Sequence, residues 1–181
     1  SFAFGMMLFI TCVLLASPEL VRILGTEEYK SSIFYIAPLV VSGYFAFLYN
    51  LPAQIEYYYG KTNYIAGGTC IAAILNIIMN YIGIKMFGSV AAAYTTLIIY
   101  IIYFMIHYYL AVKIHGTHLF RLLWLIIYAG VLILIATLSL ILRNVLAARW
   151  AMLAIVCIIG ALWADKEFGV FTVVKKRMKS H

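Results

Sequence analysis

Residues 61–97 read KTNYIAGGTCIAAILNIIMNYIGIKMFGSVAAAYTTL, and their spacing decides the fold. The pattern predicts two apolar helices joined by a turn around Lys85, Met86, Phe87 and Gly88. The first helix carries Gly68, Ala72, Asn76 and Asn80; the second carries Gly88, Ala92 and Thr96. Positions four apart fall on one helix face, so each helix has a lane of small or hydrogen-bonding side chains. In lipid, small residues let backbones approach closely, while amides and hydroxyls bond between helices. The short turn makes the two helices antiparallel neighbours, with Gly68, Ala72, Gly88 and Ala92 as the expected packing residues.

Composition sets the solvent. The chain has 181 residues, 66% of them hydrophobic and 10% charged, with a mean hydropathy of +1.05. A soluble domain carries about a quarter charged residues, so a water-soluble fold is excluded. Spans of about 20 residues leave room for about six helices. A β-barrel would need short segments alternating apolar and polar, and runs such as IIYIIYFMI do not alternate. The expected class is all-α, a polytopic transmembrane helix bundle.

Cys12, Cys70 and Cys157 lie in separate apolar runs with no C-x-x-C. Buried thiols behave mostly as small hydrophobes, so the sequence indicates no disulfide, metal or cofactor. The formal charge is +7, and five of the thirteen Lys and Arg fall in the last sixteen residues: Lys166, Lys175, Lys176, Arg177 and Lys179. No basic face with interleaved aromatics exists outside them, which argues against nucleic acid. A cytoplasmic tail over 165–181 fits better under the positive-inside rule, with the bundle occupying 1–164. The opening run SFAFGMMLFITCVLLAS has no charged flank and is short for a span. It reads as a truncated first helix, the N-terminal half of the protein lying upstream.

The first helix is expected to end near Ala16. Ser17, Pro18 and Glu19 look like a fresh helix start, predicting a short interfacial helix to Leu24 that Gly25 closes. Thr26, Glu27 and Glu28 would then begin the next helix. Spans are predicted over 33–51, 64–84, 90–112, 119–142 and 147–164, the first loosened by Pro38 and Gly43. Trp124, Trp150 and Trp163 sit near span ends, where aromatic rings favour the headgroup region. With the tail inside, alternation places Lys61, Lys113, Arg121 and the five tail residues in the cytoplasm, eight in all. Arg22, Lys30, Lys85, Arg143 and Arg149, five in all, lie outside.

No ionisable residue is expected in the middle of a span, where charges mark proton relays and ion paths. His107, His115 and His118 are expected at the interface. Asn76 and Asn80 have two readings: interhelical hydrogen bonds of about 0.6 kcal/mol each, or contacts to a hydrophilic substrate in a water-filled cavity. Residues 50–56 and Lys61 form a polar mouth, either an ordinary loop held by Pro52 and Gly60 or a substrate-access rim where Lys61 meets a phosphate. Lys85 and Arg22 could serve likewise at the other side, although a lone basic residue there is more often a headgroup partner. The fifteen tyrosines could stack on sugars, but an aromatic belt explains most of them. Enzymatic signatures are missing: no G-x-S-x-G, no H-E-x-x-H, no phosphate-cradling glycine loop.

Taken in order, Gly60-Lys61-Thr62, Asn76 and Asn80, Phe87-Gly88, Ala91 to Ala93 and Thr95-Thr96 resemble the C-terminal half of the polysaccharide (O-antigen type) flippases. These belong to the multidrug/oligosaccharidyl-lipid/polysaccharide exporter superfamily. Leu20 to Tyr29 and Tyr49 also look like that family, and the resemblance covers about residues 17–112. One departure is the turn Phe87-Gly88-Ser89-Val90-Ala91, which lacks one of the family's glycines. The resemblance implies a transporter and not an enzyme, built as two pseudo-symmetric bundles around a central cavity. It implies a polyprenyl-diphosphate-linked oligosaccharide as cargo, flipped across the cytoplasmic membrane, with membrane lipids and the protein's own N-terminal half as partners. Candidate cavity residues are Asn76, Asn80, Thr96, Tyr49, Asn50, Lys61, Lys85 and Arg22. The alternatives are a drug or peptidoglycan-precursor exporter of the same superfamily and, more remotely, an integral membrane glycosyltransferase, polymerase or acyltransferase.

Overall fold

Helix α2 (Ile33–Leu48) is the centre of the molecule, packing on α1 (Phe2–Leu24), α5 (Ala91–His115) and α6 (Leu122–Ile141). The short α3 (Asn50–Tyr58) continues from it and packs on α5 and α4 (Thr62–Phe87). Helix α4 lies chiefly on α5 at one flank, and α7 (Leu146–Phe168) lies on α1 at the other. This computed structural model describes residues 2–25, 32–117 and 121–169. Among the described residues six spans are long and apolar enough to cross a membrane, α2 and α3 together making one of them, Ile33–Tyr58. The protein is a multi-pass bundle of membrane helices.

The core lies between α1, α2, α5 and α6, around Leu14, Val41, Tyr44, Leu48, Phe104 and Leu132. Helices α4 and α7 bury little of themselves inside the bundle. Their outer faces, Ile74, Ile77 and Tyr81 on one and Ile155, Ile158 and Leu162 on the other, are exposed and apolar, as a lipid-facing surface requires.

Three sequence expectations need correction. The first helix does not stop at Ala16: α1 runs through Pro18 to Leu24. A proline inside a helix removes the amide that would bond the carbonyl four residues back, here Leu14. That carbonyl instead accepts the Ser17 hydroxyl at 2.8 Å and the Ser139 hydroxyl of α6 at 2.9 Å. Two side chains replace one amide, so the helix has no reason to end. Ser17 therefore bonds backward instead of capping a new helix.

The second correction concerns residues 50–56, which form α3 and not a loop. Pro52 has no amide for the Leu48 carbonyl, yet Tyr49 between the two helices stays helical at φ −64° and ψ −25°. Helical bonding continues across the junction, with the Ala53 amide donating to the Tyr49 carbonyl at 3.1 Å. The Asn50 amide reaches back to the Ala46 carbonyl at 2.8 Å. The true end is Gly60, in the left-handed region at φ +67°. There Gly60 and Lys61 amides close on the Tyr57 and Glu56 carbonyls at 3.0 and 2.8 Å, a Schellman cap.

The third concerns the hairpin turn. Lys85, Met86 and Phe87 belong to the last turn of α4, and Gly88 caps it at φ +79°. A side chain at Gly88 would meet nothing within 4 Å, so this glycine serves the turn and not helix packing. Helix α7 continues through Asp165 and Lys166 to Phe168, beyond the 164 boundary. Trp163 leans on α1, where a Cβ at Gly5 would stand 2.7 Å from its ring. Thr26, Glu27, Glu28, Tyr29, Lys30, His118, Lys175, Lys176, Arg177 and Lys179 lie outside the described residues.

Candidate functional site

Helices α4 and α5 meet along a seam that the small-residue lane of α4 makes possible. Gly83 admits Ala91 and Thr95: an added Cβ would lie 3.3 and 3.1 Å from their methyl groups. One turn earlier, the Asn80 amide donates to the Asn76 side-chain oxygen at 2.6 Å, and the Thr95 hydroxyl donates to the Asn80 oxygen. Both asparagines are half-buried, and Thr95 is buried. Asn76, Asn80 and Thr95 thus form one interhelical network, the arrangement expected of amides in lipid. Thr96 bonds its own helix at the Ala92 carbonyl, 2.7 Å away. The lane of α5 that faces α4 therefore includes Ala91 and Thr95, one residue out of register from Ala92 and Thr96.

Farther along the same seam the chemistry changes. Gly68 of α4 lies against His107 of α5, and a Cβ there would stand 2.8 Å from the imidazole Nε2. The other ring nitrogen, Nδ1, is 2.8 Å from Oε1 of Glu56 on α3. Neither side chain has any exposed surface. Glu56 Oε2 and His107 Nε2 have no hydrogen-bond partner among the described residues. Tyr103 stands edge-on to the imidazole at 4.5 Å, and Tyr49 lies 5.9 Å away at the α2–α3 junction. The Tyr103 hydroxyl is committed to Thr69 of α4 at 2.6 Å.

No ionisable residue is expected in the middle of a span, and these two lie toward span ends. What differs from expectation is that His107 is enclosed in the bundle and not at the interface. Glu56 falls inside the second span because α3 is helical, and His107 sits two turns before the end of α5. The pair was hidden because its members are 51 residues apart, and because residues 50–56 look polar enough for a loop. The legible signal was the Gly60 cap, which places the helix end beyond Glu56.

A second ionic contact ties α1 to α7. Arg149 donates to the Glu19 carboxylate with both terminal nitrogens, Nη1 at 2.6 Å to Oε2. Its Nη1 also reaches the Leu15 carbonyl at 3.3 Å. Arg149 is buried, so it is neither a loop charge nor a headgroup partner.

The remaining candidates are scattered. Tyr49 packs on Tyr103 at 4.6 Å between ring centres. Asn50 is exposed on α3, and Gln54, four residues on, shares that exposed face. Lys61 is exposed at the start of α4 and Lys85 at its far end, while Arg22 is exposed in the last turn of α1. A 26-residue helix is about 39 Å long, so Lys61 and Lys85 belong to opposite membrane faces. They cannot share one ligand. Among the described residues no group of three or more His, Cys, Asp or Glu could hold a metal.

No family model, curated protein or solved structure matches the chain.

Proposed function

We propose that this chain is the C-terminal bundle of a transporter that flips a polyprenyl-diphosphate-linked oligosaccharide across the cytoplasmic membrane by alternating access. Its C-terminal tail lies in the cytoplasm. The reading rests on the motif order from Gly60 to Thr96 and on one structural observation. Asn50 and Gln54 are exposed on one face of α3, inside a membrane span. An amide facing hydrocarbon without a hydrogen bond costs several kcal/mol, of the order of 2–7. The Asn50 NH2 group already bonds the Ala46 carbonyl, so that cost falls on the Gln54 amide and the Asn50 oxygen. Such a face belongs against water or against another protein surface. A wall of a hydrated cavity, completed by a second bundle, supplies both.

The cargo suits that surface. A sugar-phosphate head needs a polar path, while its polyprenyl tail remains in lipid. The Asn76–Asn80–Thr95 network serves to hold α4 against α5 and leaves substrate contact to the α3 face. A drug-exporting relative would want a carboxylate on the cavity wall; Glu56 is instead enclosed against His107.

Deleting the gene for the full protein tests the reading. The expected result is loss of surface polysaccharide with its lipid-linked precursor stranded on the cytoplasmic side. Unchanged polysaccharide would overturn it.

A further inference from the structure

We propose that Glu56 and His107 form a binding site for one exchangeable proton, enclosed between α3, α4 and α5. Three observations carry it. Both side chains are fully buried within membrane spans. They face each other at 2.8 Å through Nδ1 and Oε1. Their two remaining polar atoms, Nε2 and Oε2, are buried without partners among the described residues.

The protonation states follow from elementary valence. The Nδ1–Oε1 contact carries one proton on its line. With no other proton the pair is a neutral imidazole beside a carboxylate, a net charge of −1. One further proton, passed from a hydronium ion to Nε2 or Oε2, makes the pair neutral overall. One O–H bond of the hydronium breaks, its electron pair stays on the water released, and one N–H or O–H bond forms. In a dry interior an unbalanced charge is strongly disfavoured.

Among the described residues no other charged group balances that charge instead. The titratable groups around the pair are Tyr49 at the α2–α3 junction, Tyr57 on α3 and Tyr103 on α5. Helix α4 presents Gly68, and Lys61, whose amide bonds the Glu56 carbonyl, has its side chain exposed. Among the described residues no lysine or arginine side chain pairs with Glu56.

The surroundings also allow the site to open. Pro52 leaves the Leu48 carbonyl without its helical amide where α3 follows α2, and the Gly60 cap parts α3 from α4. Moving it away from α5 parts the pair and admits water, which solvates either charge and lets the proton leave. Proton binding is thereby linked to the position of α3, because a ligand favours the state that holds it better. The linkage is independent of any cargo.

The test uses no substrate, so its failure is separate from a failure of the flippase reading. The full protein in phosphatidylcholine vesicles is adsorbed on a solid-supported membrane, and the bath is stepped from about pH 8 to about pH 5, the range in which histidine changes charge. A proton moving into a buried site crosses part of the membrane field and gives a transient current. Wild type is expected to give the transient, and Glu56→Gln and His107→Gln to lose it. Glu167→Gln, an exposed carboxylate at the end of α7, is expected to keep it. If the single variants misfold, the double variant Glu56→Met/His107→Leu removes both charges together, a change that buried ion pairs often tolerate. A folded double variant that still displaces charge would overturn the proposal. So would wild-type protein that gives no current beyond protein-free vesicles.

Discussion

Gly67 and Gly68 are neighbours in α4 and have opposite surroundings. A Cβ on Gly67 meets nothing within 4 Å, whereas one on Gly68 would press into the His107 ring. That ring cannot swing aside without breaking its contact to Glu56. Gly68→Ala is therefore expected to destabilise the bundle by about 1–3 kcal/mol, the usual cost of overpacking. Gly67→Ala should be neutral or slightly stabilising, since alanine is the better helix former. Unfolding by SDS titration in mixed micelles measures both, and equal effects would remove Gly68 from the seam. The Arg149–Glu19 pair makes an asymmetric prediction at the same scale. Arg149 is 1% exposed and Glu19 17%, so Glu19→Ala strands a buried guanidinium and costs about 3–5 kcal/mol. Arg149→Met strands a carboxylate nearer the surface and should cost less. In the same unfolding assay, a larger loss from Arg149→Met would reverse that assignment.

At the scale of the element, the Leu14 carbonyl decides whether α1 is one helix or two. Its donors are the hydroxyls of Ser17 in the same helix and of Ser139 in α6, 125 residues away. Restoring an amide with Pro18→Ala gives that carbonyl a third donor and makes the hydroxyls redundant. Ser139→Ala should then cost about 0.6 kcal/mol, up to about 1.7, in the native chain, and less in the Pro18→Ala background. A double-mutant cycle isolates the difference, and strict additivity would mean that Ser139 plays no part in tolerating the proline. The same example explains what could be read beforehand. Long apolar runs fixed the number and approximate limits of the spans, because hydrophobic length is a local property. The lane Gly68–Asn80 pointed to α5 for the same reason. The join at Pro18 depends on a hydroxyl from α6, and the meaning of Glu56 depends on His107 from α5. Local signals described Ser17-Pro18-Glu19 as a start and residues 50–56 as a loop. A hydroxyl from α6 joins the first into α1, while short-range bonds and the Gly60 cap make the second helical.

Across the whole molecule, the bundle's sidedness follows from six spans taken in order. Alternation places the Gly60–Lys61 turn, the connection between α5 and α6, and the end of α7 on one face. Gly25, the Gly88 turn and the connection between α6 and α7 lie on the other. Basic residues divide unevenly between them. Lys61, Lys113, Arg121 and Lys166 flank the first face, and Arg22, Lys85 and Arg143 the second, while Arg149 is taken up inside the bundle by Glu19. The tail lysines and arginine add to the first face in sequence. Under the positive-inside rule that face is the one expected to be cytoplasmic, as in the proposed function. Single cysteines at Lys61, Arg121, Lys85 and Arg143, introduced after replacing Cys12, Cys70 and Cys157, test this directly. A membrane-impermeant maleimide applied to intact cells should label the cysteines at 85 and 143 and spare those at 61 and 121 until the cells are broken. Labelling of 61 with 121 in intact cells would invert the bundle while keeping its spans. Labelling of 61 together with 85 would break the alternation, and with it the assignment of α4 as a membrane-crossing helix.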